Sequence, residues 1–191
     1  MRWSGGIGRR IGLKIRRVVI PPYGFKSRLQ HLISFLTGLI GKNQMNPVPV
    51  LDTRFEHGFF QMWHPSSWKV ELEESEDSWE VTLQGPGTAL MIVGSDLEAT
   101  DDELLEATLN VFKEEYSEIE IEGFKGDLCG IPATGYEVRF FCYDLSNVCK
   151  MLATPSEEGT IFCLFQCDDY SISEIEPVFS AIRKSMKILG E

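Results

Sequence analysis

The residues best equipped for chemistry in this sequence are its five cysteines and three histidines. Four of the thiols, Cys142, Cys149, Cys163 and Cys167, fall within one stretch of alternating apolar residues. If the turn between the first two strands of that stretch has Leu145 and Ser146 at its tip, Cys142 lies opposite Cys149. If Ala153 then pairs with Ile161, Cys149 faces Phe165, and all four thiols share one sheet face. Four thiolates converging in this way are the donor set of a structural zinc site. The same face would also hold Tyr136, Val138, Phe140, Met151, Ile161 and Phe165, which marks it as core. Unpaired cysteine is a common small core filler, and zinc favours turn-borne CxxC pairs, of which the chain has none. The core reading is the stronger, and a one-residue slip in register would put the thiols on two faces. No metal or other cofactor is expected.

Cys129 lies apart, in a glycine-flanked loop with Asp127. A nucleophile there needs a base, and His57 and His64 are the only histidines after residue 51. His57 starts a strand and His64 precedes Pro65 as a turn residue; neither has a second ligand at metal spacing. A cysteine-dependent enzyme is therefore the third reading, behind two non-catalytic ones, and no catalytic, cofactor-binding or metal residues are assigned. The acids gather at 71–80, 96–106 and 114–122, but no D-x-D-x-D-G loop closes on a glutamate as a calcium site requires. Walker, dinucleotide-binding, nucleophile-elbow and HExxH patterns are likewise missing from the sequence.

Three strands must position the thiols. Residues 136–143 (YEVRFFCY), 148–154 (VCKMLAT) and 160–167 (TIFCLFQC) read as an antiparallel meander with turns at 144–147 and 155–159. Before it, 55–63 ends in an aromatic strand and Pro65 turns the chain. Trp68, Val70 and Leu72 alternate with charged neighbours, as do Trp79, Val81 and Leu83. The uniformly apolar stretch 89–93 reads as a central strand covered on both faces. Thr100 and Glu103 bracket a capping box, with Leu105, Leu109, Phe112 and Tyr116 on one helical stripe. A short strand at 118–122 and a loop at 124–132 follow. Ser173 and Glu176 read as a second capping box, with Pro177 harmless in the first turn. Ile175, Val178, Phe179, Ile182, Met186 and Leu189 form the stripe of a closing helix.

The charge of the 191 residues is unevenly divided. Residues 1–51 hold nine of the 18 Lys/Arg and none of the 29 Asp/Glu, so the remainder carries −20 of a total −11. A body that acidic should repel phosphate backbones, so nucleic acid is not an expected ligand. A basic protein partner is electrostatically permitted. The head, 1–45, is basic and loosely patterned; residues 9–41 would also serve as an amphipathic anchor on anionic lipid. Met45 is an alternative start. The odd, unframed cysteine count points to reduced thiols and a cytoplasmic setting. Residues 46–191 are expected to form one domain with a core large enough to need no staples.

An aromatic strand, the Pro65-Ser66-Ser67-Trp68 turn, a hairpin, an acid-capped helix, a long meander and a terminal helix come in the order seen in the PsbP-like superfamily. That group includes the photosystem II extrinsic subunit, the DcrB lipoproteins and the nuclear Ran-binding release factor. The chain resembles it over about 55–189, by element order and that one short motif, with no lipobox cysteine. The resemblance implies an α/β/α sandwich: one mostly antiparallel sheet of about six to seven strands with helices on both faces. It also implies a non-catalytic module that binds protein. The expected function is protein contact through an acidic surface, with peripheral membrane attachment as the alternative.

Overall fold

The computed structural model describes residues 50–142 and 145–189. The expectations for the basic head, including lipid attachment and the start at Met45, lie outside the described residues, as do residues 143 and 144.

The chain opens with a hairpin of β1 (Thr53–His57) and β2 (Phe60–His64), in which His57 pairs with Phe60. Pro65 then turns the chain, and the Trp68 amide donates to the Pro65 carbonyl at 3.0 Å. The main sheet follows with β3 (Lys69–Glu74), β4 (Ser78–Gln84) and β5 (Leu90–Asp96). Helix α1 (Asp101–Glu115) starts with the expected capping box: Glu103 N–H donates to Thr100 Oγ1, and Thr100 N–H donates to the Glu103 carboxylate. The long strands β6 (Ile119–Leu128), β7 (Ile131–Cys142), β8 (Leu145–Ser156) and β9 (Gly159–Asp168) come next. Helix α2 (Ile172–Ser185) and a two-residue strand, β10 (Lys187–Ile188), close the chain.

The expected α/β/α sandwich is not what forms. Strands make up 55% of the described structure, in a seven-stranded and a three-stranded sheet, with two helices. The main sheet has the order β3-β4-β5-β9-β8-β7-β6, and every pairing is antiparallel. The aromatic strand belongs to a second sheet, β1-β2-β10, in place of the single sheet expected. Its Phe60 and Met62 are fully buried and join Val81, Phe165 and Phe179 in one core cluster. A β-hairpin therefore takes part of the covering role that the sandwich reading gave to helices. A second cluster, on Leu104, Leu105, Leu109 and Phe112 of α1, packs against Ile92, Val138, Phe140 and Leu164. Strand β5 is buried along its whole length: Leu90, Met91, Ile92 and Val93 as their apolar run requires, and the polar Ser95 and Asp96 with them.

Three local expectations are also corrected. Residues 124–132 are not a loop: β6 and β7 run into a two-residue turn, Cys129-Gly130, with φ of +55° and +79°. Two successive positive φ values suit the tight turns whose twist matches that of paired strands. The second capping box does not form. The helix begins two residues earlier, because the Ser171 amide and hydroxyl both donate back to Asp168, at 2.9 and 3.1 Å. Pro177 consequently lies inside α2 rather than in its first turn, and it offers no amide to the Ser173 carbonyl. Finally, β8 runs on through Pro155 to Ser156, so only Glu157 and Glu158 form the turn and Ala153 pairs with Phe162, not Ile161.

Candidate functional site

That single-residue slip separates the thiols. Cys149 pairs with Val138 and Gln166, and Cys142 with Leu145, so Cys142 and Cys149 face the α1 side of the sheet. Cys163 and Cys167 face the α2 side, beside Leu152 and Val148. Cys149, Cys163 and Cys167 are buried in core. Burial pushes the Cys163 and Cys167 thiols up to about 12 and Cys149 well above the ordinary thiol value. No group of three or more His, Cys, Asp or Glu is placed to hold a metal ion among the described residues. Cys129 is half-buried against the α2-side core, and burial raises its thiol to about 11, the opposite of an activated nucleophile. The two histidines are spent elsewhere. His57 Nε2 lies 3.1 Å from Glu74 and its ring meets Trp79 edge-on, while His64 Nδ1 lies 2.9 Å from the Pro65 carbonyl.

The structure instead draws attention to the part of the α2-side face that the helix leaves open, over β6, β7 and the adjoining half of β8. Directly opposed residues of antiparallel strands share a face, so two cross-strand rows can be read from the pairings. One runs Glu122, Glu137, Lys150, Phe165; the other runs Glu120, Arg139, Val148, Cys167. Each row passes from the acidic open edge at β6 to apolar core beneath α2. Charges are shared along the way. Arg139 bonds Glu137 at 2.8 Å and Asp169 at 3.3 Å. Lys150 lies 3.4 Å from Glu137 and also pairs with Glu176 of α2. The Lys150 ammonium sits over the Phe124 and Phe165 rings, 5.4 and 5.8 Å from their centroids. The Arg139 guanidinium is raised further above its usual value, chiefly by its hydrogen bond to Glu137.

Both ends of this strip have distinct character. At one end a shallow groove of about 360 Å³ is floored by Phe124 and Phe165 and walled by Glu176, Pro177 and Arg183. Arg183 is fixed there by the Asp127 carbonyl at 2.9 Å. At the other end Phe141 and Tyr170 are 62% and 83% exposed. Phe141 pairs with Ser146, whose carbonyl accepts the amide of Asp169, the residue before Tyr170, at 3.0 Å. The strip places charges and aromatics for contact; it pairs no nucleophile with a base. Sequence reasoning did not single out Glu137, Arg139 and Lys150. The available signal was a lysine as the single charged residue of β8 and two charges alternating with core residues in the strand before it.

No protein-family model matches the chain, and no curated protein matches its sequence. Among solved structures it is similar to a Bacteroides thetaiotaomicron protein, with 14% identity and a TM-score of 0.47 over 74% of this chain and 50% of that one. It thus spans half the length of that protein. LpqN of Mycobacterium tuberculosis, involved in cell envelope biogenesis, is similar at 14% identity and TM-score 0.44, over 72% of this chain and 90% of its own. TplEi of Pseudomonas aeruginosa, an immunity protein of the T6SS, is similar at 16% identity and TM-score 0.43, over 85% of this chain and 59% of its own. These are shared courses of the chain at low identity, and they assign neither a family nor an activity.

Proposed function

We propose that this chain is a non-catalytic module that contacts another protein through its acidic surface, at the β6–β7 margin of the main sheet. The observation that supports this reading most is the pairing of exposed acid with exposed aromatic surface at one place. Glu120 and Glu122 lie on the outer strand with exposed Glu118 just before it; Arg139 pairs with Glu120, and exposed Phe141 is two residues further along β7 on the same face. Large aromatics and arginine are the side chains that most often anchor protein interfaces, and a rim of one sign steers encounter with a partner of the other. A PsbP-like kinship rests on the element order given above and is part of the same proposal, without the sandwich architecture it implied.

The test is a comparison. Full-length chain and a Glu118→Gln/Glu120→Gln/Glu122→Gln variant are used as bait at low salt. A protein retained by the parent, lost by the variant and released by raised salt supports the reading. An identical, salt-insensitive catch from both baits rejects it.

A further inference from the structure

Strand β6 ends the seven-stranded sheet, so one side of its backbone has no strand partner among the described residues. An open edge of this kind is a template for another chain. Most of its first half is exposed, and its two faces differ sharply there. Glu120 and Glu122 project to the side of Arg139 and Glu137, and exposed Glu118 directly precedes the strand. Ile119 and Ile121 project to the other, and Ile121 is 37% exposed. Gly123 follows on the apolar side, and a side chain built there would meet no atom within 4 Å, which leaves a notch next to Ile121. The first cation on the strand, Lys125, comes only after this notch.

A strand laid along this edge would place alternate residues over the glutamates and the others beside the isoleucines and the notch. A second copy of β6 fits poorly, because it brings its own glutamates against Glu120 and Glu122. The complementary strand is basic on one face and apolar on the other. We propose that the β6 edge between Ile119 and Gly123 receives an extended segment of a partner protein as an added strand, its side chains alternating basic and apolar. This rests on the acidic-surface reading and gives it a place, a backbone geometry and a partner chemistry. Main-chain hydrogen bonds supply affinity in such strand addition, and alternate side chains supply selectivity.

The probe is a short synthetic peptide alternating lysine and valine, titrated into the full-length chain at low salt. It is compared with a peptide of the same composition whose lysines are grouped at one end. The alternating peptide is expected to bind roughly tenfold more tightly than the grouped one. Methylating one alternate set of its amides should abolish binding, and methylating the other set should leave it. Glu120→Gln/Glu122→Gln should weaken it, whereas Asp102→Gln/Glu106→Gln on α1 should not. Equal binding of both peptides, or equal effects of the two methylated sets, overturns strand addition and leaves charge-driven docking standing. Binding by neither peptide also overturns it, while the bait comparison above decides the broader reading separately.

Discussion

Asp168 ties three separate parts of the fold together. Its carboxylate accepts from the Thr88 hydroxyl at 2.5 Å and from the amide and hydroxyl of Ser171. Burial works to raise this carboxyl, but the bonds from Thr88 and Ser171 outweigh burial and hold it below the ordinary range. A lowered folded value means the stabilisation is complete above about pH 3.9 and lost as pH falls through the depressed value. Asp168→Asn is expected to cost about 1.5–3 kcal/mol at neutral pH, with the gap from the parent closing in acid; urea titrations at pH 7 and pH 3 measure both. A gap that persists unchanged at pH 3 would mean that shape, not charge, is what Asp168 contributes. Cys129 gives a second residue-scale test, because its φ of +55° is a position that L-residues enter at a cost. That cost is roughly 1–2 kcal/mol and rises for β-branched side chains. Cys129→Val should therefore be less stable than Cys129→Gly by about 2 kcal/mol. Neither role could be read from the sequence. Thr88 lies 80 positions from Asp168, and a cysteine carries no turn preference of its own.

Elements were legible where a period ran long enough to have one meaning. The α1 stripe, its capping box and the burial of Leu90, Met91, Ile92 and Val93 in β5 follow from pattern alone. The β6–β7 hairpin did not, because Gly123, Gly126, Gly130, Pro132 and Gly135 punctuate it like a loop. At Gly135 the glycine serves a close approach instead. A Cβ there would lie 1.9 Å from the Met151 carbonyl oxygen on the neighbouring strand. Gly135→Ala must push β7 and β8 apart and should cost about 2–3 kcal/mol. Gly123→Ala meets nothing and should be neutral or mildly stabilising. Similar thermal shifts for the two would show that the strands are not paired as described. Strand β10 was illegible for another reason: two residues have no period, and their pairing with Phe60 and Gln61 is decided by tertiary contact. In α2, Ile182 is fully buried, as its stripe predicted. Ile182→Asp should cost several kcal/mol, since it leaves a buried charge unpaired; a soluble, fully cooperative mutant would contradict that packing. The open strip escaped notice because Glu137, Arg139 and Lys150 gain meaning only from cross-strand neighbours, and those depend on β7–β8 and β8–β9 registers that both differ from the expected ones.

The whole molecule buries Cys149, Cys163 and Cys167 in two cores, one on each face of the main sheet, and this has a consequence for its response to base. Burial holds Cys129 up to about 11, Cys163 and Cys167 up to about 12, and Cys149 above its ordinary value. Tyr116, also raised mainly by burial with a further push from Cys142, acts in the same direction. In the unfolded chain a thiol ionises near about 8.5. Between that value and the folded ones, the unfolded state has released protons that the folded state still holds. Stability must therefore fall with rising pH across that window, and below it the contribution is fully present. The melting temperature is expected to be flat around neutrality and to drop progressively from about pH 8.5 upward. Cys163→Ala should melt lower than the parent at pH 7, because it opens a small cavity beside Leu152. Its decline in base should nevertheless be shallower, because one of the protons in question has been removed. Parallel declines for parent and variant would mean that the alkaline loss belongs to other groups. They would also mean that Cys163 reaches solvent in the folded chain, against its burial within the α2-side core.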